Sequence, residues 1–207
     1  KEDYSSMKVK IKELKNNNII SYRNFDFLKL YYTPKQFKRW RRFYRNQLIS
    51  EMIDEFNFKI NYDKRIIITK PNSWKYSSSY CGYKVAVGLS DYKLGVDIEN
   101  YNNILIDSLN LFSSLEEMEF FYSNLDINYK VKIATLIWSC KESLGKLFKV
   151  GFKQGFKTFS FFKKKGNFIV TSKLNYNFPM NLHFYYKLFD DFCLGIVTFN
   201  KLKGGKK

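Results

Sequence analysis

Apolar and basic residues alternate near the start of the chain. In "MKVKIKEL", Met7, Val9 and Ile11 lie two apart with lysines between them, the period of a half-buried strand. The period then lengthens. Thr33 and Pro34 suit the cap and first position of a helix, and Phe37, Trp40, Tyr44 and Leu48 recur at helical spacing, predicting a helix over 33–56. After "RIIITKP" the pattern returns to strands: 74–78, then Val85, Val87 and Leu89 in alternation, then 94–99. "FSSLEEMEFFY" reads as a helix start with Ser113 and Glu116 in capping-box register. A second long helix is predicted over 128–149, ending near Gly151, with Ile133, Ile137, Cys140, Leu144 and Leu147 as its apolar stripe. Four strands follow, in "KTFSFF", "NFIVT", "LHFYYKL" and "FCLGIVTF". Both halves thus run from a long helix to several short strands, with no sequence repeat and no linker of Gly, Pro or Ser. The expected class is α+β, in two similar lobes, 1–100 and 101–207, each a long helix on a small, mostly antiparallel sheet.

Composition narrows the function. Of 207 residues 45% are apolar and 19% aromatic, which excludes a disordered chain. No apolar run approaches the ~18 residues that cross a bilayer, and the first residues lack the order of a signal peptide, so a soluble, cytoplasmic protein without membrane contact is expected. The chain begins with Lys1 rather than Met, so a few leading residues are expected to precede it. Cys81, Cys140 and Cys193 are scattered and odd in number, which suggests neither disulfides nor zinc. A lone histidine, His183 on a strand-like run, removes most imidazole chemistry and reads as structural. The formal charge of +17 points to an anionic partner, although the Lys, Asn, Ile, Phe and Tyr usage of an AT-rich coding sequence accounts for part of it.

Two short stretches carry chemistry. In "LGVDIEN", Asp97 and Glu99 share one face of a strand, while Val96 and Ile98 take the other. Adjacent carboxylates repel unless a cation lies between them, and a hard divalent ion suits oxygen donors. The alternative is an exposed acidic edge. In "WSCKESLGK", Trp138, Glu142 and Lys146 are spaced by four and fall on one helical stripe, where Glu142 and Lys146 alone would be a surface pair worth ~0.3–0.5 kcal/mol.

Taken together, "GVDIE" and, some forty residues on, W-S-x-K-E-S-x-x-K resemble the Sfp-type 4′-phosphopantetheinyl transferases. "TKP" at 69–71, "YSSSYCGYKVAVGLS" and "LFSSLE" match in the family's order, so that the likeness extends from Arg39 to about Ser160. The resemblance implies the family's pseudo-twofold fold and transfer of the phosphopantetheine arm of coenzyme A to a carrier-protein serine. It implies Asp97, Glu99 and Glu142 as ligands of Mg²⁺, with Mn²⁺ as the alternative ion. Lys146 is implied to neutralise or protonate the leaving phosphate, and Lys141 to lie near the phosphates. Glu116 is implied as a further residue of the catalytic site, with a purely structural capping role as its alternative. For coenzyme A it implies Arg45 at the 3′-phosphate, Lys70 and Pro71 along the adenine, and Ser79 and Tyr80 at the phosphates. The chain departs from the family at Tyr80, where a histidine is usual; a tyrosine donates one neutral hydrogen bond and carries no positive charge.

On this reading the carrier serine attacks the β-phosphate and expels 3′,5′-ADP, with Glu142 or a metal-bound water as base. An acidic carrier protein suits the charge of the chain, and its docking surface is expected between Tyr101 and Asp126. A monomer is expected. The alternatives are a degenerate homologue that binds carrier or nucleotide without catalysis, and a nucleic-acid-binding module suggested by "FKRWRRFYR". The second leaves the acids unexplained, because carboxylates in a phosphate groove without metal repel the ligand.

Overall fold

The computed structural model describes residues 8–14, 18–24, 33–56, 59–61, 67–70, 75–90, 92–101, 108–122, 126–149, 157, 159–164, 167–172 and 182–199. In chain order the elements are β1 (Lys8–Leu14), β2 (Asn18–Asn24), α1 (Pro34–Phe56), β3 (Lys59–Asn61), β4 (Ile67–Lys70), β5 (Lys75–Cys81), β6 (Lys84–Ser90) and β7 (Leu94–Asn100). There follow α2 (Leu109–Phe112), α3 (Leu115–Tyr122), α4 (Ile127–Phe148), β8 (Phe159–Lys164), β9 (Asn167–Ser172), β10 (Leu182–Leu188) and β11 (Phe192–Phe199). The chain divides into two compact units, Lys1–Ile98 and Glu99–Lys207. The class is α+β, and among the described residues no helix is long and apolar enough to cross a membrane.

In the first unit a four-stranded sheet runs β1-β2-β6-β5, with each neighbouring pair antiparallel. β5 and β6 form a hairpin in which Cys81 pairs with Lys84 across Gly82 and Tyr83. Gly82 has φ 54°, the left-handed value required at the first central position of a type II′ turn, where only glycine is unstrained. α1 starts as the sequence predicts: Thr33 Oγ1 accepts from Gln36 N–H at 3.3 Å, and Gln36 Oε1 accepts from Thr33 N–H at 2.8 Å. This is a reciprocal capping box ahead of Pro34. Phe37, Leu48, Ile49 and Met52 pack on Tyr83, Val85, Val87 and Leu89. Trp40 departs from the predicted stripe. At 44% exposure it stands out to solvent, in edge contact with the more exposed Phe43. β6 is buried along its whole length, because Gly88 on its second face is covered by Leu94, Val96 and Ile20.

In the second unit β10 and β11 pair antiparallel, and α4 lies against β11. Asp126 caps α4, its Oδ1 accepting from the N–H groups of Asn128 and Tyr129, and Lys149 ends it at φ 58°. Ala134, Leu136, Ile137, Cys140, Leu144 and Leu147 of α4 form a core with Phe112, Phe159, Phe161, Cys193 and Val197. The buried set also takes in Ser139, Lys141, Ser143 and Gly145, so α4 is enclosed over more of its circumference than the predicted stripe. All three cysteines are buried thiols.

Gly195 sets the approach of α4 to β11. Ser143 Oγ donates to Gly195 O at 2.8 Å, and a Cβ at Gly195 would lie 2.8 Å from Ser139 Oγ and 3.0 Å from the Ser139 backbone carbon. An alanine there can be accommodated only by moving the helix. Gly195→Ala is therefore expected to cost about 1–3 kcal/mol, read as a lower urea midpoint at unchanged slope.

Candidate active site

β5 alternates its side chains, so Ser77 and Ser79 share one face while Tyr76 and Tyr80 turn to the other. Both serines hold β7. Ser77 Oγ accepts from Val96 N–H at 3.0 Å, and Ser79 Oγ donates to Asp97 Oδ1 at 2.7 Å. Asp97 is only 2% exposed. A buried carboxylate needs hydrogen bonds or a cation, and Ser79 provides one such bond, which fixes the direction of the acid. Ser79, expected at the coenzyme, is in this structure an orienting partner of Asp97. Val96 and Ile98 are fully buried, as the alternation of "GVDIE" requires, while Glu99 at the start of the second unit is half-buried.

Glu142 and Lys146 lie one turn apart on α4, and both are half-buried. Trp138, a turn earlier, packs edge-on against Phe112 with ring centroids 5.2 Å apart, which anchors this stretch of the helix. Lys141 departs from its expected place beside phosphates. Its side chain is fully buried, with Nζ donating to Glu117 Oε2 at 2.7 Å and to Phe112 O at 2.6 Å. Burial pulls its ammonium below the ordinary lysine value, and the charge and hydrogen bond of Glu117 oppose that pull.

The capping box also shifts by one residue. Ser114 N–H donates to Glu117 Oε2 at 2.8 Å and Glu117 N–H donates to Ser114 Oγ at 3.2 Å, so the box is Ser114–Glu117 rather than Ser113–Glu116. Glu116 is exposed. Glu117, which the sequence reading missed, accepts in addition from Phe161 N–H at 2.9 Å. One carboxylate thus ties the start of α3, strand β8 and helix α4 together. Doubled residues, Ser113-Ser114 and Glu116-Glu117, permit both registers, and only the buried lysine four residues before Gly145 could have favoured the second.

In the first unit Arg45 Nη2 donates to Asn46 Oδ1 at 2.8 Å, and its guanidinium lies over the ring of Tyr76. Lys70 is the last residue of β4, and Pro71 lies outside the described residues. His183 sits in β10, its ring stacked on that of Tyr185, with Nε2 buried and without a hydrogen-bond partner among the described residues. Among the described residues no three acid, histidine or cysteine side chains form a group that could hold a metal ion. The donor chemistry of Asp97, Glu99 and Glu142 nonetheless suits a hard divalent cation, since all three offer only carboxylate oxygens.

A family model for the 4′-phosphopantetheinyl transferase superfamily matches residues 93–197. A search of curated proteins finds no match. Among solved structures, a holo-(acyl-carrier-protein) synthase from Bacillus anthracis, in complex with CoA (3′,5′-ADP), is similar at 16% identity and a TM-score of 0.46, over 52% of this chain and 95% of that one. The holo-[acyl-carrier-protein] synthase of Thermotoga maritima gives 17% and 0.45, over 55% and 66% of the two chains. That of Helicobacter pylori, in complex with coenzyme A, gives 18% and 0.44, over 52% and 99%.

Proposed function

Because the chain belongs to the 4′-phosphopantetheinyl transferase superfamily, we propose that it is an Sfp-type enzyme that moves the arm of coenzyme A onto a serine of an acidic carrier protein. The observation that carries this reading is the state of the two acidic motifs inside the matched span. Asp97 is buried and aimed by Ser79 on a strand that continues to Glu99, and Glu142 and Lys146 are presented one turn apart on an anchored helix. An exposed acidic edge would not require a buried Asp97 held by Ser79.

In the reaction the serine hydroxyl gives its proton to a base, for which Glu142 is the candidate among these residues, its oxygen bonds to the β-phosphorus of the coenzyme diphosphate, the bond from that phosphorus to the bridging oxygen breaks, and 3′,5′-ADP leaves. Such transfer depends on positioning and charge neutralisation. Asp97, Glu99 and Glu142 would hold Mg²⁺, which neutralises the diphosphate when bound. Lys146 stabilises charge on the leaving phosphate. Ser79 keeps the Asp97 carboxylate from turning, and Trp138 keeps α4 in register.

The carrier docks on the stretch between the two motifs. α2 and α3 expose Leu111 and Leu115 there, at 74% and 75%, an apolar patch on a stretch without Lys or Arg, so attraction of an acidic partner falls to the lysines and arginines outside it. Removal of divalent ions with EDTA is expected to stop loading of an apo carrier with a fluorescent coenzyme A derivative, and excess Mg²⁺ to restore it. Loading that proceeds unchanged in EDTA would contradict the assigned ligands.

A further inference from the structure

The two tyrosines on the α1-facing side of β5 each carry an arginine of α1. The Arg41 guanidinium lies 5.2 Å from the ring centroid of Tyr80, and that of Arg45 lies 5.6 Å from the ring centroid of Tyr76. The arginines are one helical turn apart and half-buried. Neither has a carboxylate partner among the described residues. Arg41 Nε donates to Lys38 O at 3.3 Å, while Arg45 Nε and Nη2 donate to Asn46 Oδ1 at 3.1 and 2.8 Å.

Along α1 no carboxylate among the described residues supplies the missing charge. From Pro34 to Asn46 the helix carries Lys35, Lys38, Arg39, Arg41, Arg42 and Arg45 and no acid, and its first carboxylate, Glu51, is held by Arg23 at 2.6 Å. A ring face attracts a guanidinium without neutralising it and leaves most of its five N–H donors for another acceptor. Two half-buried like charges, held side by side by aromatic rings, are stabilised when an anion with several oxygens lies across them.

We infer that Arg41, seated on the ring of Tyr80, grips a phosphate group of coenzyme A together with the Tyr80 hydroxyl and Arg45. Tyrosine supplies a hydrogen bond, and the arginine on its ring supplies the charge. This rests on the coenzyme reading proposed above, and it adds Arg41, a residue that the motifs do not mark.

Calorimetric titration with 3′,5′-ADP tests it. Arg41→Gln is expected to weaken binding roughly 10- to 100-fold, the effect of one lost charge-assisted contact, whereas Arg42→Gln, an equal charge loss on the exposed side of α1, weakens it by less than about threefold. Tyr80→Phe, which keeps the ring under Arg41, is expected to lose less than Tyr80→Ala. Should Arg41→Gln melt early, Arg41→Lys keeps the charge without the fork and is expected to bind more weakly than wild type. Equal losses in the Arg41 and Arg42 variants, or wild-type affinity in Tyr80→Ala, would overturn the inference while leaving the coenzyme reading intact. A wild-type protein that binds neither 3′,5′-ADP nor coenzyme A would overturn both.

Discussion

Asp97→Asn is expected to lower the rate of arm transfer by roughly 10²- to 10³-fold while the protein stays folded. Asparagine has the shape of aspartate and an oxygen that still accepts from Ser79 Oγ, so the contact that fixes residue 97 survives. Only the negative charge is lost. Asp97 is 2% exposed, so that charge is not there for solubility, and on the proposed mechanism it serves to hold the ion that neutralises the coenzyme diphosphate. Steady-state loading of a carrier gives the rate, and urea unfolding monitors the fold, with a change of less than about 1 kcal/mol expected. Full activity in the variant would remove Asp97 from the metal site.

Glu117→Ala is expected to cost about 3–5 kcal/mol of stability, the range for breaking a buried ion pair from one side. Glu117 and Lys141 are both 0% exposed, and the carboxylate also serves Ser114 N–H and Phe161 N–H. Removing it leaves the Lys141 ammonium in the core without its counter-charge, though still bonded to Phe112 O, and takes the acceptor from two backbone donors. The pH dependence has a definite sign. With Glu117 gone, burial acts on Lys141 unopposed and lowers its pKa further below the ordinary 10.5. The unfolded chain then binds more protons than the native one at pH values between the depressed pKa and 10.5, and stability in that window rises with pH. The deficit of Glu117→Ala should accordingly shrink as pH is raised toward 10. A urea series at pH 7 and 9.5 checks both statements; a loss below about 1 kcal/mol at pH 7 would contradict the first.

Much of the fold is legible in the sequence because its signals are local. Thr33-Pro34 sets the start of α1, and the alternation of Met7, Val9 and Ile11 or of "LHFYYKL" announces strands that the structure contains. What is not legible depends on partners distant in sequence. Trp40 fits the helical spacing of the α1 core, but the helix face that meets β6 is set by Phe37, Leu48 and Met52, and Trp40 is left outside it. Lys141 is expected beside the phosphates until Glu117, 24 residues earlier, is seen to bury with it. Ser79 is expected at the coenzyme, and only the structure shows that its hydroxyl donates to Asp97. The order of acids and lysines along "GVDIE" and "WSCKESLGK" is plain in the sequence; the means by which each is aimed is not.

The central claim, that this chain transfers the phosphopantetheine arm, is tested most directly by intact-mass spectrometry of an apo carrier protein incubated with the protein, coenzyme A and Mg²⁺. The account predicts that the carrier gains the mass of one arm on its serine, and that 3′,5′-ADP appears in equal amount. A carrier of unchanged mass, with coenzyme A bound to the protein but not consumed, would contradict it and leave a homologue that binds without catalysis.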